Sequence, residues 1–138
     1  MSLAGRRGAR RRDDGGSVSI EIMVLFPALL TLFLLLLQVG FWWHARAIAL
    51  SAAREGVSSG RLENAPAGAG DTAARTFVTN NGGGALLDWG VSELDSGERV
   101  QVTVTGQPMK ILPLPGINWT ISQTAVGARE RFTHPGDR

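Results

Sequence analysis

Apolar residues are spread unevenly along this chain. Residues 22–43 hold no charged side chain, and Thr31 and Gln38 are the main polar interruptions of a Leu- and Phe-rich run. As a helix at about 1.5 Å per residue the run would extend about 33 Å, enough for a hydrocarbon core of about 30 Å. Trp42 and Trp43 close it, and indole rings favour the lipid headgroup level. Beyond them Ala45, Ile48, Ala49, Ala52, Ala53 and Gly56 keep the 3, 4 spacing of one helical face, while Arg46, Arg54 and Glu55 fall largely elsewhere. The spacing predicts one helix from about residue 18 to about residue 59, with Pro27 allowing a kink. The small-residue stripe has two readings. It is a seat for a helix or sheet at close range, or it reflects the good helix propensity of alanine alone.

The pattern changes after the stripe. Residues 60–70 contain Asn64-Ala65-Pro66 and alternating Ala and Gly, which reads as a loop. Asp71 is placed to cap a short helix through about residue 79, with Ala74, Phe77 and Val78 apolar. Asn80-Asn81-Gly82-Gly83-Gly84 would end it with residues that tolerate positive φ. Residues 85–94 read as a strand and Asp95-Ser96-Gly97-Glu98 as a turn. Val100, Val102 and Val104 alternate with Gln101, Thr103 and Thr105, the clearest strand signal in the chain. Pro108, Pro113 and Pro115 make residues 109–116 an irregular connection. Ile117, Trp119 and Ile121 alternate with Asn118, Thr120 and Ser122 and predict another strand, continuing toward Arg131. The expected class is α+β: a long N-terminal transmembrane helix extending into a small antiparallel sheet domain. A core this small leans on packing against the helix or on assembly.

Charge orients the helix. The net charge of +2 hides an asymmetry: residues 1–16 carry five Arg and two Asp, whereas residues 44–138 balance nine basic against nine acidic side chains. Arg6, Arg7, Arg10, Arg11 and Arg12 sit just before the apolar run, and the positive-inside rule puts that end in the cytoplasm. The expected organisation is a cytoplasmic leader at 1–16, the transmembrane and extended helix at 17–60, an extracytoplasmic α+β domain at 61–131 and a loose tail at 132–138. A nucleic-acid-binding domain would need basic charge on its folded part, so no nucleic-acid partner is expected. Absence of cysteine excludes disulfides, thiolate zinc sites and a cysteine nucleophile. A secretory signal peptide would have an apolar core of about 7–15 residues ending at small residues. This run is longer and ends in two Trp, although Ala45-Arg46-Ala47 offers a weak cleavage match. A buried core helix fits poorly, because so short a chain has little material to cover it.

Glu21 stands immediately before the apolar run. A carboxylate at the membrane border costs less than one at the centre, where insertion scales give about 2.5–3.5 kcal/mol for Asp. On chemistry alone Glu21 marks the headgroup boundary, a favourable charge near a helix N-terminus. Its surroundings suggest more. Gly15-Gly16-Ser17-Val18-Ser19-Ile20-Glu21, after a basic stretch and before a long apolar helix, resembles a class III prepilin processing site. Ile20-Glu21-Ile22, Phe26-Pro27-Ala28-Leu29-Leu30 and Ala52-Ala53-Arg54-Glu55-Gly56 then resemble the TadE-like minor pseudopilins of the tight-adherence (Tad/Flp) pilus machinery. That family shares a G-[SA]-x-x-[VI]-E-F start, a proline about six residues later and an A-A-R-E-G segment. Ile22 replaces the usual phenylalanine. The close resemblance covers about residues 10–60.

The resemblance implies a pilin-like fold and a structural subunit of a surface pilus or a related secretion pseudopilus. It implies cleavage between Gly16 and Ser17 by a membrane prepilin peptidase on the cytoplasmic side, with the helix retained. The implied partners are that peptidase, other pilin and pseudopilin subunits, the inner-membrane pilus assembly platform and membrane lipid. No catalysis, cofactor or metal is expected. Cleavage would free the amino group of Ser17, with a reference pKa of about 7.7–8.0 and so mostly protonated at pH 7. Glu21 would supply the opposite charge. Removing one partner of a buried pair costs about 3–5 kcal/mol, because the other charge is left unpaired. The rival reading is an uncleaved single-pass anchor whose outer domain binds an envelope partner.

Other motifs carry less. Gly56-Val57-Ser58-Ser59-Gly60 matches the G-x-S-x-G nucleophile elbow, which needs a strand before it and a helix after. Here it ends a helix, and the chain has only His44 and His134. The same residues match G-x-x-x-G, for which helix packing or a helix end is the better reading. Gly82-Gly83-Gly84 lacks the Lys-Ser or Lys-Thr of a phosphate loop. Asn118-Trp119-Thr120 is a glycosylation sequon by pattern only, in an expected strand.

Overall fold

The computed structural model describes residues 15–112 and 115–131. The five leader arginines and the tail at 132–138 lie outside the described residues. Among the described residues two helices are followed by three strands: α1 (Gly15–Gly60), α2 (Ala69–Asn81), β1 (Leu86–Asp95), β2 (Arg99–Pro108) and β3 (Ile121–Ala128). The chain divides into two compact units, Met1–Phe33 and Leu34–Arg138. The class is the expected one, α+β, with a long apolar N-terminal helix followed by a small antiparallel sheet.

The first unit contains the beginning of α1. The helix runs unbroken through Pro27, and Thr31 Oγ1 donates to the Pro27 carbonyl at 2.8 Å. Large apolar side chains such as Met23, Phe26, Leu29 and Phe33 are all more than half exposed. The most apolar window of the helix has no buried share. This helix is therefore not the covered core of a soluble domain, and it is long and apolar enough to cross a membrane.

The second unit holds the core. The sheet order is β1-β2-β3, antiparallel throughout. The central strand β2 turns Val100, Val102 and Val104 inward, each fully buried, while Gln101, Thr103 and Thr105 face out. Thr103 and Thr124 join hydroxyls across β2 and β3 at 2.9 Å. Ala45, Ala49, Ala52, Ala53 and Val57 of α1 complete the core with Ala74 and Val78 of α2, Leu86 of β1 and Ile121 of β3. The small-residue stripe is thus a packing seat. Arg46, Arg54 and Glu55 are exposed as expected.

Two local expectations are corrected. Asp71 does not cap α2. The cap position is Gly68 at φ 81, two residues of helix precede Asp71, and its N–H donates to Glu93 Oε2 of β1 at 2.8 Å. A carboxylate reaching over from β1 takes the place of a local cap, and it is favourable at a helix N-terminus. The Asp71 carboxylate instead binds Arg75 one turn on, at 2.6 and 3.1 Å. That hydrogen bond, opposed by a little desolvation and helped by the opposite charge, raises the Arg75 pKa. The second correction concerns residues 117–120, which are not a strand. Asn118 Oδ1 accepts from the Thr120 N–H at 3.0 Å and from its hydroxyl at 2.6 Å, so a side chain takes the donor that a ladder would use. Across the sheet, Pro108 ends β2 and has no N–H to offer. Strand β3 begins at Ile121, opposite Gly106, and stops at Ala128 short of Arg131. Asn118 of the sequon therefore lies outside the strand, its side chain closing on Thr120.

Candidate functional site

The residues singled out for processing and assembly lie in the first unit. Gly16 and Ser17 lie at the start of the described part of α1. Ser17 and Glu21 are four residues apart on that helix, so they share one face with an axial offset of about 6 Å. Glu21 is exposed between Ile20 and Ile22, themselves 67% and 57% exposed. Among the described residues no basic side chain pairs with Glu21. Arg6, Arg7, Arg10, Arg11 and Arg12 lie outside the described residues.

The second unit reveals a polar contact that sequence reasoning missed. Gln38 was legible only as an interruption of the apolar run. Its side chain is fully buried. Oε1 accepts from the Ile111 N–H at 2.8 Å and the Leu112 N–H at 3.4 Å, and Nε2 donates to the Met109 carbonyl at 3.2 Å. The loop after β2 is thereby fixed to α1 two turns before the expected stripe begins at Ala45. One signal was available: Leu34, Gln38, Trp42 and Ala45 continue the 4, 4, 3 spacing backwards, and all four are buried or half-buried. Trp42 also carries the Arg46 guanidinium 5.5 Å above its ring.

The G-x-x-x-G at the end of α1 is a packing device. A Cβ on Gly56 would come within 2.7 Å of the Gly70 carbonyl and 2.9 Å of Val102 Cγ1. One on Gly60 would meet Val100 Cγ1 at 2.9 Å and Glu93 Oε1 at 3.1 Å. Among the described residues no strand precedes the motif, so it lacks the setting of a nucleophile elbow. Among the described residues no group of His, Asp and Glu could hold a metal ion.

These features define a class: a protein with one exposed apolar helix, long enough to cross a membrane, followed by a small α+β unit. Residues 16–58 match the model of the TadE-like protein family. The match starts at Gly16, runs through the apolar helix and ends within the packing stripe, so the resemblance read from the sequence holds over that segment. It is the match expected of a protein associated with the Tad pilus. The chain matches no curated protein and no solved structure.

Proposed function

We propose that this protein is a minor pseudopilin, a structural subunit in assembly of a Tad/Flp-type surface pilus or secretion pseudopilus. A prepilin peptidase cuts between Gly16 and Ser17. The helix stays in the membrane with its N-terminus cytoplasmic, and the unit that follows is extracytoplasmic. The observation that carries this reading is the family match beginning at Gly16, with Glu21 four residues beyond Ser17 on an exposed apolar helix. The start of the described part of α1 supports it too. Gly15 and Gly16 are poor helix formers, so the backbone at the junction opens at small cost for a peptidase.

In the assembled filament the ammonium group of Ser17 and the carboxylate of a neighbour's Glu21 pair within the apolar bundle and set the register of the incoming subunit. The direct test is the mass of the mature N-terminus. A chain starting at Ser17 is expected, and Gly16 replaced by a bulky residue should leave the full-length form. A chain still starting at Met1 would leave an uncleaved single-pass anchor as the correct reading. One starting after Ala47 would make the helix a discarded signal peptide. Glu21→Ala and Glu21→Gln should both leave insertion and cleavage intact and abolish assembly, since each leaves the Ser17 ammonium without its partner. Normal pilus yield with both variants would reduce Glu21 to a boundary residue.

A further inference from the structure

Assembly chemistry makes no use of the loop between β2 and β3. Its backbone is bonded to a side chain that lies inside the apolar run of α1. Gln38 stands five residues before Trp43, about 7.5 Å along a helix axis. If Trp42 and Trp43 mark the headgroup level, residues 109–112 lie below it, on the hydrocarbon side. A segment of irregular backbone is tolerated there only when its polar groups are satisfied from within the protein. Gln38 does that for two N–H groups and one carbonyl, and the loop in turn satisfies the glutamine. The side chains that remain open are apolar on both sides of one cation. Met109 and Ile111 are 44% and 37% exposed, and Lys110 between them is exposed and is the only lysine of the chain.

We propose that residues 109–112 form an interfacial foot, in which Met109 and Ile111 enter the outer leaflet of the bilayer and Lys110 reaches back to lipid phosphates. This rests on the reading that α1 crosses the membrane with the second unit outside. The depth of about 7 Å falls within the 5–10 Å at which apolar faces sit at the headgroup–acyl boundary. A lysine stem lies along apolar surface while its ammonium stays at the phosphates. The foot sets the height of the sheet above the bilayer. One face of α1 is covered at Leu34, Gln38 and Trp42, so only residues 22–33 of the apolar run meet lipid all round.

The chain has no native cysteine, which allows single reporters in the full-length protein. Leu30→Cys, Ile111→Cys and Glu98→Cys are each labelled with an environment-sensitive fluorophore. Each is then reconstituted in vesicles of phosphatidylethanolamine and phosphatidylglycerol. Glu98 lies in the β1–β2 turn, at the opposite end of β2 from the loop. Quenchers are a lipid spin label just below the headgroup, a lipid spin label deep in the acyl region, and aqueous iodide. The Ile111 reporter should lose most emission to the shallow label and little to iodide. The Leu30 reporter should respond chiefly to the deep label and the Glu98 reporter to iodide alone. Iodide quenching at Ile111 equal to that at Glu98, with Leu30 still deep, overturns the foot and leaves the membrane span standing. Shielding of Ile111 from iodide without lipid quenching means that protein covers the loop, which also overturns it. A Leu30 reporter that no lipid label quenches overturns the span and the foot together.

Discussion

Gln38 is a carboxamide in a run of leucines, and its position makes sense only through its partners. In Gln38→Ala the Ile111 and Leu112 N–H groups lose their acceptor and the Met109 carbonyl its donor. The expected cost is about 1–3 kcal/mol, the penalty of leaving buried polar groups unpaired. Hydrogen exchange should quicken at the amides of Ile111 and Leu112 and stay unchanged along β2. Unaltered exchange at both amides would mean that the loop holds its place without the glutamine. Gly56 gives a second residue-scale case. Gly56→Ala puts a methyl against the Gly70 carbonyl and Val102, and overpacking of this kind costs about 1–3 kcal/mol. A Cβ on Gly40 would meet nothing within 4 Å, so Gly40→Ala should gain about 1 kcal/mol of helix propensity instead. Unfolding of the purified full chain, followed by tryptophan fluorescence, should move in opposite directions for the two variants.

Among the elements, the turn between β1 and β2 has a predictable response to acid. The Gly97 N–H donates to Asp95 Oδ1 at 2.8 Å, with Gly97 at φ 78. Arg129 Nη1 meets Asp95 Oδ2 at 2.6 Å and ties the end of β3 to the turn. The Gly97 hydrogen bond first, and the Arg129 charge and hydrogen bond after it, hold the Asp95 carboxyl below its usual range against some desolvation. A lowered folded pKa favours the folded state above the unfolded value of about 3.9 and loses that contribution as pH falls through the folded value. The Gly97 amide resonance should therefore hold steady down to about pH 4 and move only below it. Asp95→Asn should abolish the acid transition, and a midpoint at the ordinary carboxylate value would refute the account. The strands themselves were legible where one face is buried. Val100, Val102 and Val104 alternate with polar residues because β2 is central and packs on one side only. Ile117 and Trp119 show the same alternation without forming a strand, because Asn118 satisfies Thr120 locally and the partner strand has ended in proline.

For the whole molecule the first question is which side of a membrane each end occupies. All five leader arginines lie within the roughly 15–20 residues over which positive charges orient a span. A reporter fused after Arg138 should therefore be active outside the cytoplasm, and activity inside would reverse the topology. The apolar run, the charge asymmetry before it and the α+β class were all readable from residues in order. Each rests on spacing or composition among near neighbours, and a helix or a strand forms from such local periodicity. Tertiary structure alone decided the rest. Gln38 finds its partners 71 to 74 positions away, Glu93 serves the N-terminus of α2 across 22, and Gly56 and Gly70 meet because neither has a side chain. A hydrogen bond or a close approach between distant segments leaves no period in the sequence. It depends on where the chain returns to, and that is settled by how the sheet and two helices share one small core.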